Sequence, residues 1–443
     1  MTFAYSVAIS QCFLTSPYKT LRLYFLNSLV IWQAPYNLNN FSQIHTMSTQ
    51  VGIGKSIHRN PKIAASQAVE MALKTGAIEK ADFVFMFSSV GYDQKTIVKY
   101  VYDFFGGAPL CGCSAEGTIA GWETDESNFS VVVMAVRSDQ LRFTNGIVGG
   151  LKLNSAEAGR AVAESIRDRL NADTAGLFLF PDALTINFER FKTAMETELN
   201  LDHLLPLFGG LASDNWQWKQ TYQYCNDQVT SDSAAWALLS GNLQIAGAVN
   251  HGCVSLGVSH RITRSDGNVI YEIDGKPSVE TLRKYLSEAE LTTGWGTSNM
   301  QFPLGFKLPD SVTEDYGQFF LRAMMSKDDQ TGAVTLPTEV SQDETFYMTR
   351  RDYGLMVNGI DRLGHQIKQQ IGDKQPKLVF QFECCGRGKV FIREEQQSAL
   401  LKSLHETVGS DVPWLGFFTY GEIGPLAGIN QVHNYTCVMA AIY

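Results

Sequence analysis

Phe83-Val-Phe-Met-Phe87, Leu177-Phe-Leu-Phe180 and Leu378-Val-Phe-Gln-Phe382 are three short, apolar, Phe-rich runs in one chain. Runs of this length without polar alternation read as strands buried on both faces. An amphipathic helical stretch follows each run. The first carries Ile97, Val101, Phe104 and Phe105, the second Phe188, Phe191, Met195 and Leu199, the third Leu401, Leu404 and Val408 before Gly409. Each stretch then meets a matching turn: Pro109-Leu-Cys-Gly112, Pro206-Leu-Phe-Gly209 and Pro413-Trp-Leu-Gly416. Proline ends the helix, the apolar pair returns to the core, and glycine permits a close backbone approach. In the first and third copies the match continues. Gly112 and Gly117 share the spacing of Gly416 and Gly421, and Asn128-Phe-Ser-Val-Val resembles Asn434-Tyr-Thr-Cys-Val. The middle copy has Asp214 in place of the second glycine.

A strand–helix–strand unit repeated in this way predicts an α/β fold of layered mixed sheets covered by helices. The loops after the central strands are expected to gather at one end, where open α/β sheets bind ligands. Asn268-Val-Ile-Tyr-Glu-Ile alternates like a half-buried strand, and Asp274-Gly275 turns into a helix with Val279, Leu282 and Leu286. The expected domains are therefore 47–275 and 276–443. Residues 291–342 carry little pattern. Asn60 and Pro61 start a helix with Ala65, Val69 and Leu73 on one face. Residues 1–46 read as an extension outside the fold, with Met47 a second start. Their apolar run over 21–34 is too short to span a bilayer.

The 443 residues exceed one ordinary core, so two or three units are expected. Hydrophobic residues at 44% and charged residues at 18% place the chain among globular proteins. A net charge of −9 without a Lys/Arg cluster argues against nucleic acid as a partner. No run reaches membrane-spanning length, which predicts a soluble protein. Cys111/Cys113 and Cys384/Cys385 lie in apolar segments of a large chain, so buried free thiols in a reducing, cytoplasmic setting are expected. A zinc site built from them would lack any Cys-x-x-Cys pair.

Further landmarks are Pro109 to Gly117, His251-Gly-Cys, Glu272-Ile-Asp-Gly-Lys-Pro277, Cys385-Gly-Arg-Gly388, Phe417-Phe-Thr-Tyr-Gly-Glu-Ile-Gly-Pro425 and His433-Asn-Tyr-Thr436. Together they resemble the FIST family, from about Val51 to Ile442, as a FIST N-terminal part followed by a FIST C-terminal part. The resemblance implies a non-catalytic sensory module for small ligands, with amino acids proposed for many members. One bacterial branch with no attached effector binds haem b, senses nitric oxide and controls a separate histidine kinase. This chain is similar in having no recognisable effector segment. A carboxylate or amino-acid sensor is the alternative, and a cysteine-dependent enzyme built on Cys384/Cys385 a further one.

Histidines are the first residues to consider for haem. His251 and His433 flank glycine and asparagine beside apolar strands and are the candidate ligands, although His433 also reads as a loop pin. His58, His203, His260, His365 and His405 read as surface residues. The glycine-rich loops offer backbone N–H groups to an anion, with Gly112, Ser114, Glu116, Gly117, Thr419, Gly421 and Glu422 as ligand-site candidates. Arg387 would supply charge to a carboxylate or propionate, or form a structural ion pair. The aromatic group Trp216, Trp218, Tyr222 and Tyr224 reads either as core or as a pocket wall. Two enzyme signatures fail. Gly52-Ile-Gly-Lys-Ser56 has Thr49 where a phosphate loop needs glycine, and Gly112-Cys-Ser-Ala-Glu116 has glutamate where a nucleophile elbow needs it.

Overall fold

The computed structural model describes residues 49–443 except 297–298, 311 and 313–315. The expectations for residues 1–46 lie outside the described residues. The fold is mixed α/β, as expected, and the three Phe-rich runs are the central strands of three six-stranded sheets: Phe83–Ser89, Thr174–Pro181 and Leu378–Cys384.

The repeat is larger than strand–helix–strand. Each copy has an opening strand, a helix, the central strand, a second helix, a strand parallel to the central one, a hairpin and a closing strand. In the first copy these are Thr49–Ser56, Pro61–Thr75, Phe83–Ser89, Gln94–Phe104, Leu110–Ala115, the hairpin Gly117–Ala120 with Glu123–Asp125, and Val131–Ser138. Within each sheet the order is opening, closing, central, parallel. The hairpins are exchanged in a cycle. The first copy's hairpin extends the third sheet, pairing Phe417 with Thr118. The second copy's hairpin, Gln223–Cys225 with Gln228–Thr230, extends the first sheet, and the third copy's, Glu422–Leu426 with Ile429–His433, extends the second. No copy completes a sheet by itself.

The Phe residues explain the recurrence. Phe85, Phe178 and Phe380 hold the same place in their strands, and their ring centroids lie 5.9, 4.7 and 4.8 Å apart. Two residues on, Phe87, Phe180 and Phe382 form a second layer with Phe417. Each aromatic removes a large apolar area from water at the common centre of the sheets. Gly112, Gly209 and Gly416 also occupy one register, opposite Met86, Leu179 and Gln381. A Cβ on any of the three would overlap the carbonyl oxygen of that opposing residue. The turn glycines are therefore required by close approach between parallel strands, and only Gly209 also has positive φ.

Local signals behaved similarly. Asn60 Oδ1 accepts the N–H groups of Lys62 and Ile63 and caps the helix that Pro61 opens. Gly52 and Gly54, part of the failed phosphate-loop pattern, lie in the opening strand, where a Cβ would overlap the backbone of that helix at Ala72 and Ala68.

The third copy carries an insertion. Between its opening strand, Ile245–His251, and its first helix, Tyr353–Ile371, residues 252–352 build a separate antiparallel sheet around the long strand Cys253–Asp266. That strand pairs with Thr345–Arg351 on one side and Val269–Ile273 on the other. None of the described helices is long and apolar enough to cross a membrane.

Candidate functional site

The carboxyl ends of the three parallel strands meet. Glu116 N donates to Phe418 O at 3.0 Å, Ser213 N to Ser114 O at 3.1 Å, and Leu211 N to Gly421 O at 2.8 Å. Side chains reinforce the junction. Ser114 Oγ donates to Ser213 O at 2.7 Å, Ser213 Oγ to Phe418 O at 2.9 Å, and Thr419 Oγ1 to Leu211 O at 2.7 Å. Buried backbone groups from three different repeats are thereby satisfied by one another.

The junction is asymmetric where the repeat pattern breaks. Asp214 takes the place of Gly117 and Gly421, and its carboxylate accepts the N–H groups of Trp218 at 2.9 Å, Lys219 at 2.6 Å and Gln220 at 3.0 Å. It also accepts the Tyr420 hydroxyl at 2.8 Å. These bonds hold a strained loop: Asn215, Trp216 and Trp218 have φ of 55°, 59° and 54°. Left-handed backbone costs about 1–2 kcal/mol per non-glycine residue, and such strain concentrates at functional sites. Trp216 N donates to Glu116 Oε2 at 2.8 Å, while Trp218 stacks on Tyr420 with ring centroids 4.1 Å apart.

A cavity of about 380 Å³ opens beside this loop, lined by Trp216, Trp218, Met300, Gln301, Arg351 and Val390. Arg351 ends the strand Thr345–Arg351 of the insertion and is only 6% exposed. Its Nη1 donates to Gly386 O, and the guanidinium lies over Phe391 and Tyr435. Nε and Nη2 have no partner, nor have Trp216 Nε1 and Glu116 Oε1. Buried donors and acceptors left unpaired cost about 1–3 kcal/mol each, and three of these four atoms belong to Arg351 and Trp216, which both line the cavity. Burial pushes Glu116 up to about 8, which keeps it protonated at neutral pH. Burial lowers the pKa of the Arg351 guanidinium.

The sequence-derived candidates fall into two groups. Ser114, Glu116, Thr419 and Gly421 meet at the junction, with Gly112 two residues before Ser114 and Gly117 directly after Glu116. Ser114 Oγ also accepts Tyr222 N, so it ties the Trp loop down and is not free as a nucleophile. Glu422 lies deeper, its Oε2 bonded to Thr436 N and Oγ1 and its pKa raised strongly by burial. Arg387 is buried in an ion pair with Glu383. The guanidinium facing the cavity belongs instead to Arg351, which sequence reasoning passed over.

The histidines divide differently from expectation. His260 and His405, read as surface residues, are 3% and 4% exposed. His260 bridges Asp274 Oδ2 at 2.6 Å and Tyr285 Oη at 2.7 Å, and His405 packs between Trp122 and Trp414. An axial haem ligand needs a ring nitrogen facing open space. His433 uses both, with Nε2 3.0 Å from Gly424 O and Nδ1 3.4 Å from the Tyr316 hydroxyl. His251 Nδ1 accepts Cys253 N at 3.1 Å. Its Nε2 is unpaired but faces the backbone of Gly317, where a Cβ would lie 2.5 Å away, and Tyr316 packs on the ring. These surroundings do not fit a haem. Among the described residues no group of three His, Cys, Asp or Glu side chains is arranged to hold a metal ion.

Fold and cavity together define a mixed α/β protein with a cavity beside the carboxyl ends of its parallel strands. The chain belongs to the FIST family: residues 82–276 match the FIST N domain and residues 278–425 the FIST C domain. FIST domains are small-ligand sensing domains in signalling. An uncharacterized protein of Mycobacterium bovis is 23% identical over 402 residues, covering 88% of this chain and 98% of that one. One of Mycobacterium tuberculosis is 24% identical over 399 residues, covering 88% and 99%. Among solved structures, a cyanuric acid hydrolase of A. caulinodans is 8% identical with a TM-score of 0.35, covering 89% of this chain and 99% of that one. A chorismatase, also 8% identical, has a TM-score of 0.32 and covers 89% and 98%. Likenesses this weak carry no argument about activity.

Proposed function

We propose that this protein senses a small carboxylate, an amino acid or a close analogue, held in the cavity between Trp216, Trp218 and Arg351. The observation that carries the reading is the buried Arg351 guanidinium with two unpartnered nitrogens on a cavity walled by indoles. A carboxylate matches that planar fork and takes up its free N–H groups. Trp216, a second cavity-lining residue, offers its unpaired Nε1 as a further polar contact. A cavity of about 380 Å³ suits a metabolite.

Signalling then follows from linkage. A ligand shifts a conformational equilibrium only by its differential affinity for the two states, and the Trp loop is a segment whose strain ligand contacts can offset. Output passes to a separate partner, with a histidine kinase the partner that the family resemblance suggests. Haem sensing is the second reading, supported by that resemblance and opposed by the packing of His251 and His433.

Calorimetry with a panel of amino acids and small carboxylates tests the first reading. Saturable binding is expected, weakened at least ~10-fold by Arg351→Gln, since a charge-assisted bond contributes about 1.5–3 kcal/mol. His251→Ala and His433→Ala should bind as the parent does. No binding by any carboxylate, together with a Soret band on haem addition that His251→Ala abolishes, would hand the assignment to haem.

A further inference from the structure

Beside the cavity lies a group the sensing model does not use. Cys384 ends the central strand Leu378–Cys384, and Cys385 opens the short turn Cys385–Arg387. The two thiols are adjacent in the chain, free and buried, each 6% exposed. Tyr435 holds left-handed backbone, φ 62°, at that point. Gly386 leaves a gap between sulfur and guanidinium: a Cβ there would lie 3.1 Å from Arg351 Nη1 and 3.5 Å from Cys384 Sγ. The neighbouring guanidinium favours negative charge on this sulfur. Arg351, nine-tenths buried with two free nitrogens, is an independent sign of a site that receives a polar molecule.

We propose that Cys384 is an oxidant-sensitive thiol, converted by a hydroperoxide to a sulfenic acid that Cys385 then resolves. The Cys384 thiolate attacks the terminal peroxide oxygen. An S–O bond forms, the O–O bond breaks, and the other oxygen leaves as an alcohol or water after taking a proton. Sulfur is oxidised by two electrons and the peroxide reduced by two. The Cys385 thiol then attacks the Cys384 sulfur, the S–S bond forms, and the S–O bond breaks with loss of water. Adjacent Cα atoms are ~3.8 Å apart, closer than the usual 4.4 Å or more across a disulfide, so the product is strained and easily reduced.

The other described cysteines act as internal controls. Burial pushes Cys225 up to about 11 and Cys253 up to about 12, and raises Cys111, Cys113, Cys385 and Cys437 as well. Cys384 alone among them is lowered, first by the adjacent Cys385 thiol, with Gly386, Tyr435 and the Arg351 charge acting in the same direction. Thiolate character governs oxidation. Because Arg351 Nη1 binds Gly386 O, closing the disulfide would move the guanidinium. That coupling to ligand rests on the carboxylate-sensor reading, whereas the modification itself does not.

The experiment treats the full-length, ligand-free protein with hydrogen peroxide at neutral pH and maps products by peptide mass spectrometry, with and without dimedone. Dimedone should label Cys384 selectively, and without it the peptide carrying Cys384 and Cys385 should lose two hydrogens. Cys385→Ser should accumulate the sulfenic acid. Gly386→Ala places a methyl group in the gap and Arg351→Gln removes the charge, and each should slow labelling ~5-fold or more. The proposal is overturned if Cys384 stays unmodified while other cysteines react, or if both variants react at the parental rate. Absence of carboxylate binding would leave this test untouched, so the two readings fail separately.

Discussion

Gly112, Gly209 and Gly416 stand at matched positions of the three repeats, and so, five residues on, do Gly117, Asp214 and Gly421. The first set is uniform because one steric rule applies to all: the parallel strand lies against the carbonyl of its neighbour. The second set is not uniform, because nothing in the packing of the sheets requires glycine at Asp214. The uniform set builds the scaffold. At the variable set, a carboxylate organises the strained Trp loop and, with the insertion's Arg351, makes a cavity that a perfectly repeated chain would lack.

Adding a methyl group anywhere in the uniform set should do the most damage. Gly112→Ala, Gly209→Ala and Gly416→Ala should each cost about 4 kcal/mol or prevent folding, since the obstacle is backbone and has no rotamer with which to yield. Gly106→Ala is the control. Gly106 has φ 66° with nothing within 4 Å of an added Cβ, so only conformational strain of about 1 kcal/mol is expected. Urea denaturation of the four variants decides the point. A Gly416→Ala protein as stable as Gly106→Ala would remove the steric account of the repeat.

The second prediction contrasts the protonated carboxyl at the junction with the neutral histidines. His433 is held down to about 4 by burial. The unfolded chain takes up a proton near 6.5 and the folded one only near 4, so His433 contributes stability above pH 6.5 that is lost as pH falls through 4. Relative to His433→Gln, the parent should lose about 3 kcal/mol over that window. Glu116 has the opposite sign. Its folded value is raised, so its contribution is full below pH 4.5 and declines as pH rises through about 8. Stability curves of His433→Gln and Glu116→Gln should therefore diverge from the parent on the acid and alkaline sides respectively. Divergence on the same side would contradict these environments.

Much of the scaffold was legible because repetition amplifies weak signals. One Phe-rich run is ambiguous between strand and helix, but three, each followed by a helix and a Pro-led turn to glycine, leave one reading. The Asn60–Pro61 helix start was equally plain, since capping is local chemistry. The hairpin exchange was not legible: Gly117–Ala120 pairs with Trp414–Thr419, hundreds of residues away, and no local pattern encodes that partner. The meeting of Glu116, Ser114 and Thr419 at the junction was legible because they sit in the recurring turns. Arg351 was missed because it lies on an inserted strand with no counterpart in the other repeats. Trp216 and Trp218 were noticed but left between core and pocket, although the irregularity that organises their loop, Asp214 against two glycines, was already visible. His260 and His405 were misplaced because polar neighbours in sequence do not report which face of an element is buried.

Asp214→Gly gives the middle repeat the residue the other two have. The substitution removes the acceptor for the N–H groups of Trp218, Lys219 and Gln220 and for the Tyr420 hydroxyl. Those donors lie at the margin of the fold, where water can replace the lost acceptor for most of them, so the net loss should be near 2 kcal/mol. Relaxation of the left-handed backbone at Asn215, Trp216 and Trp218 offsets part of it. Carboxylate binding, by contrast, should vanish, because Trp216 and Trp218 no longer hold the cavity wall opposite Arg351. Asp214→Asn retains one acceptor oxygen and should fall between the two. Denaturation and calorimetry on the same preparations separate the outcomes: stability nearly kept and binding lost places function at the irregular position. If Asp214→Gly binds like the parent, the Trp loop is packing and the site must be sought elsewhere.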